Sequence, residues 1–189
     1  MPKGFAEPLS LEALAQGVFR CHGNAIKLAT QAELLLDNGF FAGCINACRL
    51  AVEELAKSHL LTQGASYKDS DTEKWRWIWD SLTDHKEKLR VIEYELHWPA
   101  YQNRQQFHDR VTVLRNLRED AMYVQFDTST KSFHDPEEAL EKYGGAEAEA
   151  RRQMTYLHLL IALFFATGRP SVEDLLGGFR SIQAQRREA

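Results

Sequence analysis

The sequence contains no apolar run long enough to cross a membrane: its longest, residues 156–166, is interrupted by His158, and a span needs about 20 residues. It does not begin with a charged segment followed by an apolar one, so we expect no signal peptide. Its three cysteines are few and odd in number, which argues against a disulfide framework. Reduced thiols in a cytoplasmic protein, with no membrane partner, are therefore expected.

Several signatures of catalysis and cofactor binding are also missing. The HExxH, P-loop and GxGxxG patterns do not occur, and no serine or cysteine stands out as a nucleophile, so we predict neither a metal nor a cofactor. Cys21-His22 with Cys44 and Cys48 offers possible zinc ligands, but the last two lie on an apolar helix stripe, where cysteine packs as a small hydrophobe. The net charge of −4 argues against a protein that coats nucleic acid, although 23 lysines and arginines allow a local basic pocket.

Helical periodicity dominates the rest of the sequence, and few segments alternate like strands. No repeat or linker divides the chain, so we predict one domain over residues 1–189, with a core at about 24–167 and a C-terminal helix and polar tail at 171–189. The fold class is all-α, an antiparallel bundle of about six to seven helices. The expected helices are 10–21, 24–37, 40–62, 70–97, 102–122, 136–167 with a break at Gly144-Gly145, and one from 171 onward.

Local signals mark where several of these helices begin and end. Ser10 and Asp135 are suited to the N-cap position, and Pro136 fits the first helical position after Asp135. Residues 70–73 have the spacing of a capping box. Gly39 suits the left-handed position after a helix, and the short loop around it predicts an antiparallel hairpin of the two flanking helices.

Two acids and a lysine fall together at the end of the third predicted helix. Glu53 and Glu54 lie four and three residues before Lys57, within reach of its ammonium. One interpretation is an exposed ion pair worth about 0.2–0.5 kcal/mol. The other makes Glu54 the acid that orients a basic group inside a cleft.

His85 lies on the apolar stripe of the helix predicted at residues 70–97, so its side chain should point inward. A histidine at such a position often serves only as a core residue with its hydrogen bonds satisfied. It is also the side chain best suited to move protons near neutral pH. Lys88, three residues later, would add a cation beside the imidazole, a combination that suits an anionic ligand such as a phosphodiester.

Arg118 occupies a position close to the core in the helix predicted at residues 102–122. A buried guanidinium needs an acceptor, and Glu54 is the candidate, in a pairing that would also be compatible with a purely structural role. Tyr123 lies five residues later, about 140° away around an ideal helix. The two residues share a site only if the helix ends or bends near Met122, or if a second subunit supplies one of them.

Three of these segments, in this order and spacing, resemble the AbiV family of abortive-infection proteins, a branch of the HEPN superfamily. They are Ala51-Val52-Glu53-Glu54-Leu55-Ala56-Lys57, the Trp-rich helix leading to His85-Lys86-x-Lys88, and Leu117-Arg118-Glu119-x-x-Met122-Tyr123-Val124. The similarity covers roughly residues 24–166. It implies an antiparallel helical bundle, a dimer and a role in bacterial defence against phage.

Many HEPN proteins are metal-independent endoribonucleases whose motif is an arginine, a polar residue and, a few residues later, a histidine. Arg118-Glu119-x-x-x-Tyr123 fits that frame with tyrosine in place of histidine, and a tyrosine with an ordinary pKa near 10 is a poor general base at pH 7. The resemblance therefore implies an RNA-cleaving, translation-arresting toxin in which His85 is the acid or base, Arg118 stabilises the transition state and Tyr123 donates a hydrogen bond. Lys57 or Lys88 would hold the substrate phosphate, and Glu54 would organise the site.

The alternative is a non-catalytic HEPN dimer that inhibits by binding a ribosome, an RNA or a phage protein, and a helical scaffold without a defence role is the third possibility. A phage-encoded trigger is a further expected partner. The aromatic residues supply more surface than one helical layer readily buries, which predicts a homodimer. They are Phe40, Phe41, Trp75, Trp77, Trp79, Phe164 and Phe165.

Overall fold

The computed structural model describes residues 7–97, 104–123, 125–127 and 131–188, and for 94–97, 104–111, 118, 125–127, 133 and 187–188 the description extends to the backbone only. These ranges confirm the all-α antiparallel bundle, with eight α-helices, slightly more than the six to seven expected, and one small sheet. The elements are α1 Leu11–Asp37, α2 Phe41–Gly64, α3 Thr72–Thr83, α4 His85–His97, α5 Arg104–Met122, β1 Gln125–Asp127, β2 Ser132–His134, α6 Pro136–Ala139, α7 Ala146–Phe164 and α8 Val172–Glu188, with a turn of 3₁₀ helix at Glu141–Tyr143.

Most of the predicted helix ends are confirmed. The Ser10 hydroxyl accepts a hydrogen bond from the backbone N–H of Ala13 at 3.1 Å, and Asp135 forms a complete capping box with Glu138 ahead of α6. Gly39 has a φ of 77° in the turn between α1 and α2, a conformation that glycine adopts without a steric penalty. That turn folds α1 and α2 into the predicted antiparallel hairpin. The prediction of a capping box at residues 70–73 is wrong, because the N-cap residue of α3 is Asp71 and its side chain makes no capping hydrogen bond.

α1 is one continuous helix, so the break that the sequence predicts at residues 22–23 is wrong. Gly23 lies inside the helix, and a Cβ atom at this position would come within 2.7 Å of the Arg169 guanidinium. That guanidinium donates a hydrogen bond to the main-chain oxygen of Phe19 at 3.0 Å and lies over the Phe19 ring. Gly23 thus lies where the Arg169 side chain, from the turn after α7, packs against α1, and it does not end the helix.

The helix predicted over residues 70–97 is two helices, because the chain is extended at Asp84, with ψ of 117°. The Asp84 carboxylate then accepts hydrogen bonds from the backbone N–H groups of Lys86 at 2.7 Å and Glu87 at 3.2 Å. A short acidic side chain that satisfies the free N–H groups of a first turn is a strong helix start. The break makes His85 the first residue of α4, where its side chain is exposed, so the inward orientation predicted from the sequence is wrong.

α2 is the central element, and it packs against α1, α3, α4, α5 and α7. Between residues 42 and 58 the positions that are not fully buried recur every three or four residues, which places them on one stripe of the helix. These positions are Gly43, Asn46, Leu50, Glu54 and Lys57. Between residues 42 and 58 the central helix is thus accessible along a single line, and Glu54 and Lys57 of the candidate site lie on it.

Two clusters of buried side chains form the core. The larger one joins α1, α2, α4, α5 and α7. The smaller one surrounds Trp75, which is 1% exposed and donates its indole N–H to the main-chain oxygen of Lys68 at 3.0 Å. Phe164 and Phe165 are half-buried against the larger cluster, where their rings meet the His22 ring edge-on. The phenylalanines expected at a subunit contact therefore belong largely to the protein's own core.

The segment after α5 leads into the small sheet, in which Phe126 of β1 pairs with Phe133 of β2 in antiparallel register. The backbone of residues 125–127 is extended. No helix in the described ranges is long and apolar enough to cross a lipid bilayer.

Candidate active site

His85 is held by a buried acid from the central helix. Its Nδ1 lies 2.5 Å from Oε2 of Glu53, whose side chain is 3% exposed, whereas the imidazole is 54% exposed. An ionised carboxylate only accepts hydrogen bonds, so Nδ1 carries the proton in this contact. Nε2, on the other side of the ring, is then the nitrogen that can exchange a proton with a ligand. A fixed tautomer on a half-exposed ring is what a general acid or base requires.

Lys88 contacts the same Glu53 carboxylate from the interior of the bundle. Its ammonium lies 3.3 Å from the same Glu53 oxygen and 3.5 Å from the main-chain oxygen of Leu82, and its side chain is 4% exposed. The lysine thus neutralises the buried carboxylate and ties the end of α3 to α4. A cation enclosed in this way is badly placed to hold a substrate phosphate, so the structure favours the site-organising role for Lys88.

Glu54 and Lys57 form a second ion pair on the accessible line of α2. The Lys57 ammonium lies 2.7 Å from the Glu54 carboxylate, with side chains 29% and 16% exposed respectively. Lys57 is one helical turn beyond Glu53, which brings this cation to the same edge of α2 as His85. Lys57 is therefore the better placed of the two predicted phosphate ligands.

The thiol of Cys21, on α1, faces the same pair. Burial and, after it, the charge of Glu54 raise the pKa of Cys21 to about 12, so this cysteine stays a neutral thiol at physiological pH. Cys44 and Cys48 are buried in the core, and Sγ of Cys48 contacts Sδ of Met154 at 3.2 Å. Within the described ranges, no group of three or more His, Cys, Asp or Glu residues is placed to hold a metal ion.

Arg118 and Tyr123 lie at the end of α5. The helix ends at Met122, which meets one of the conditions under which these two residues can share a site. Tyr123 is 56% exposed, whereas the Arg118 side chain lies outside the described residues. The carboxylate of Asp120, which lies between them in the sequence, accepts a hydrogen bond from the Tyr143 hydroxyl at 2.6 Å. The same carboxylate forms an ion pair with the Lys142 ammonium at 2.8 Å. The end of α5 is thus fixed to the turn that precedes α7.

The structure brings together four of the six predicted site residues, His85, Lys88, Glu54 and Lys57, around one part of α2. It adds Glu53, which the sequence reading noticed only as a neighbour of Lys57. In the folded chain, residues 45, 49, 53, 56 and 60 recur every three or four positions on one face of α2 and all five are buried. Because Arg49 and Glu53 interrupt the apolar pattern of this face, the sequence carries no clear signal for Glu53. An acid on that face must have a cationic partner, and the His85–Lys88 pair supplies it.

Further buried polar contacts join α7 to the helices around the site. The Arg49 guanidinium, on α2, donates to the side-chain oxygen of Gln153 at 3.4 Å, and Gln153 in turn donates to Glu149 at 2.6 Å. The Tyr156 hydroxyl donates to Glu93 of α4 at 2.9 Å. These contacts fix α2 and α4 relative to each other through α7, and so they fix the frame in which Glu53 meets His85.

The architecture and the site together define a class of protein. The chain is an all-helical HEPN domain, built as an antiparallel bundle around one central helix. The sequence model of the AbiV family matches residues 13–147, more than two thirds of the chain, and the chain therefore belongs to the AbiV family of abortive-infection HEPN proteins. No curated protein and no solved structure was found to match it. The match extends from α1 to the first residues of α7.

Proposed function

We propose that this protein is a metal-independent endoribonuclease that arrests translation in phage-infected cells. The observation that carries the proposal is the half-exposed His85 imidazole, whose Nδ1 is bound by the buried Glu53 carboxylate. A buried acid that holds one imidazole nitrogen and leaves the other exposed is the arrangement that a general acid or base requires. Membership of the AbiV family supports the defence role.

In the proposed reaction, Nε2 of His85 removes the proton from a ribose 2′-hydroxyl. The 2′-oxygen then forms a bond to the adjacent phosphorus, and the bond from phosphorus to the 5′-oxygen breaks. The leaving 5′-oxygen takes up a proton from solvent, and the products are a 2′,3′-cyclic phosphate and a 5′-hydroxyl. Nε2 of His85 then releases its proton to solvent. Lys57 binds the phosphate, Arg118 stabilises the charge of the pentavalent phosphorus, and Tyr123 donates a hydrogen bond.

The test is cleavage of total cellular RNA by the purified protein, alone and with phage lysate. We expect His85→Ala to lower the cleavage rate at least about 100-fold, because it removes the general acid or base. His158→Ala is the matched control: this imidazole is also 54% exposed and lies 3.0 Å from a carboxylate, that of Glu33, but the acid is itself 51% exposed. RNA left intact by the wild type under both conditions, or equal rates for His85→Ala and the wild type, would remove the nuclease proposal.

A second candidate is inhibition by binding alone, to a ribosome, an RNA or a phage protein. The burial of both Glu53 and Lys88 favours it, since a structural ion pair accounts for that contact without catalysis. The tyrosine at position 123, where the HEPN motif has histidine, points the same way. Growth arrest that persists in cells carrying His85→Ala, with cellular RNA intact, would select this candidate over the nuclease.

A further inference from the structure

An open groove lies at the end of the bundle where the turn between α1 and α2 meets α6 and the start of α7. Its volume is about 940 Å³, which is in the range of sites that hold ligands. Glycine and alanine form much of its wall, so a ligand can approach the main chain closely there. These residues are Gly39, Gly144, Gly145, Ala146 and Ala148.

Phe40 lines this groove with its ring in solvent. Its side chain is 62% exposed, whereas Phe41 beside it is half-buried against the core. Phe40 is also the N-cap residue of α2, where serine, threonine, aspartate and asparagine are favoured, and it makes no capping hydrogen bond through its side chain. Neither the core nor the start of the helix therefore accounts for an aromatic ring at this position. Aromatic residues are enriched in the interfaces between proteins.

The groove is acidic. Among the residues that the structure describes, four carboxylates and one guanidinium line it, and they belong to Glu137, Glu138, Glu141, Glu147 and Arg151. Glu137 accepts a hydrogen bond from the backbone N–H of Ala42 at 2.9 Å, and Glu147 is paired with Arg151 at 2.8 Å. Glu141 is exposed and has no ion-pair partner within the described ranges. The described side chains thus give the groove an excess of three negative charges.

We infer that this groove binds a segment of another protein in which an apolar side chain is flanked by lysine or arginine. The apolar side chain packs against the Phe40 ring, and the flanking cations pair with Glu138 and Glu141. Charge complementarity of this kind selects the partner and speeds the encounter. Basic segments are typical of proteins that bind nucleic acid, so a partner from that class has the required chemistry.

The excess negative charge disfavours two other occupants. It repels the phosphates of RNA, whose binding depends on cationic side chains. A second copy of this chain about a two-fold axis would bring two acidic grooves together, because a two-fold contact places the same surface on both sides.

The chain's own basic end lies too far away to fill the groove. Arg186, near the end of α8, lines a separate cavity together with Ser66 and Ser70, which follow the C-terminal end of α2. The acidic groove lies at the opposite end of that helix, where Phe41 begins it. The 24 residues of α2 span about 36 Å between the two ends. The occupant must therefore come from another molecule.

The groove is also separate from the candidate active site. Glu53 follows Ala42 by 11 residues, which corresponds to about 17 Å along α2. A segment bound in the groove consequently leaves His85 accessible. The inference does not depend on the proposed RNA cleavage and can be tested without it.

Fluorescence anisotropy with a short labelled peptide, a leucine flanked by arginines, tests the inference. We expect the purified protein to bind the peptide with a roughly micromolar dissociation constant that rises severalfold between about 50 mM and about 300 mM salt. Phe40→Ser should weaken binding about 10-fold. Serine is favoured at an N-cap, so this variant should fold. Leu159→Ser is the matched control, since Leu159 is 61% exposed but lies 13 residues after Ala146 on α7, and it should bind like the wild type.

Glu141→Gln tests the charge separately and keeps the inference testable if Phe40→Ser fails to fold. It removes one carboxylate from the groove and should weaken binding about threefold. Glu73→Gln, a change at an exposed acid of α3, should leave the affinity unchanged. Any of three results would overturn the inference: no binding by the wild type at about 1 mM, equal affinities for the wild type and both groove variants, or displacement of the peptide by an RNA oligonucleotide.

Amide NMR spectra locate the bound peptide. The signals of Gly39, Gly144 and Gly145, which line the groove, should shift when the peptide is added. Those of Gly177 and Gly178, on α8, should stay in place. Shifts of the α8 glycines with no change at the groove glycines would reject the groove as the binding site.

Discussion

Replacement of Glu53 by alanine should destabilise the protein by about 3–5 kcal/mol, because it leaves a buried charge without its counter-charge. Lys88 is 4% exposed, and its ammonium lies 3.3 Å from the Glu53 carboxylate. Taking a cation out of water without compensation is costly. The substitution also frees the His85 ring, so we expect loss of stability and loss of the fixed imidazole together. Urea unfolding followed by tryptophan fluorescence measures the first effect.

Glu54→Ala is the control for this experiment, since it removes the neighbouring carboxylate. The partner of Glu54, Lys57, is 29% exposed and can be solvated when the acid is removed. Pairs of this kind contribute about 0–1 kcal/mol, so the two variants should differ severalfold in their effect. Equal losses of stability in Glu53→Ala and Glu54→Ala would show that the buried ion pair contributes no more to the free energy of unfolding than the more exposed one.

The double variant Glu53→Leu/Lys88→Met separates the charge from the packing. Two apolar side chains of similar volume should recover most of the stability lost in Glu53→Ala, because buried ion pairs often contribute no more than a well-packed apolar pair. RNA cleavage should stay low in this variant, since the acid that orients His85 is gone. Recovery of stability without recovery of cleavage would assign Glu53 a positioning role beyond folding.

The parts of the fold that follow local backbone rules could be predicted from the sequence. Ser10, Gly39 and Asp135 act as the sequence indicates, because a cap or a left-handed residue depends on its immediate neighbours in the chain. The continuity of α1 through Gly23 could not be predicted in this way. Beside Gly23 packs the Arg169 side chain, 146 residues later in the sequence, a tertiary contact that local rules do not include.

The candidate site could likewise be predicted only where it depends on local sequence. His85 and Lys88 share a helix face at a spacing of three, and that pattern is visible in the sequence. Whether Glu53 or Glu54 meets them is not visible, since the two acids are adjacent and lie about 100° apart on α2. The packing of α4 against α2 decides between them, and it places Glu53 inside and Glu54 at the edge. A tertiary contact of this kind leaves little trace in the local pattern.

Acid should unfold the protein partly through His22, which is 5% exposed. Burial among the rings of Phe164 and Phe165, and secondly the charge of Arg169, lower the pKa of His22 from 6.5 to about 4. The unfolded chain therefore takes up this proton more readily than the folded one. Stability is at its full value above about pH 6.5, falls as the pH drops toward 4 and levels off below it, by about 3 kcal/mol in all.

Urea unfolding at intervals between about pH 7 and about pH 4 isolates this contribution when the wild type is compared with His22→Leu. Leucine keeps the site apolar and cannot be protonated, and Nδ1 of His22 has no hydrogen-bond partner in the described part of the chain that would be lost. The carboxylates affect both proteins alike, so the difference between the two curves reports on His22. We expect it to widen as the pH falls. Parallel curves for the wild type and His22→Leu would mean that the His22 ring is protonated without disturbing its contacts with Phe164 and Phe165.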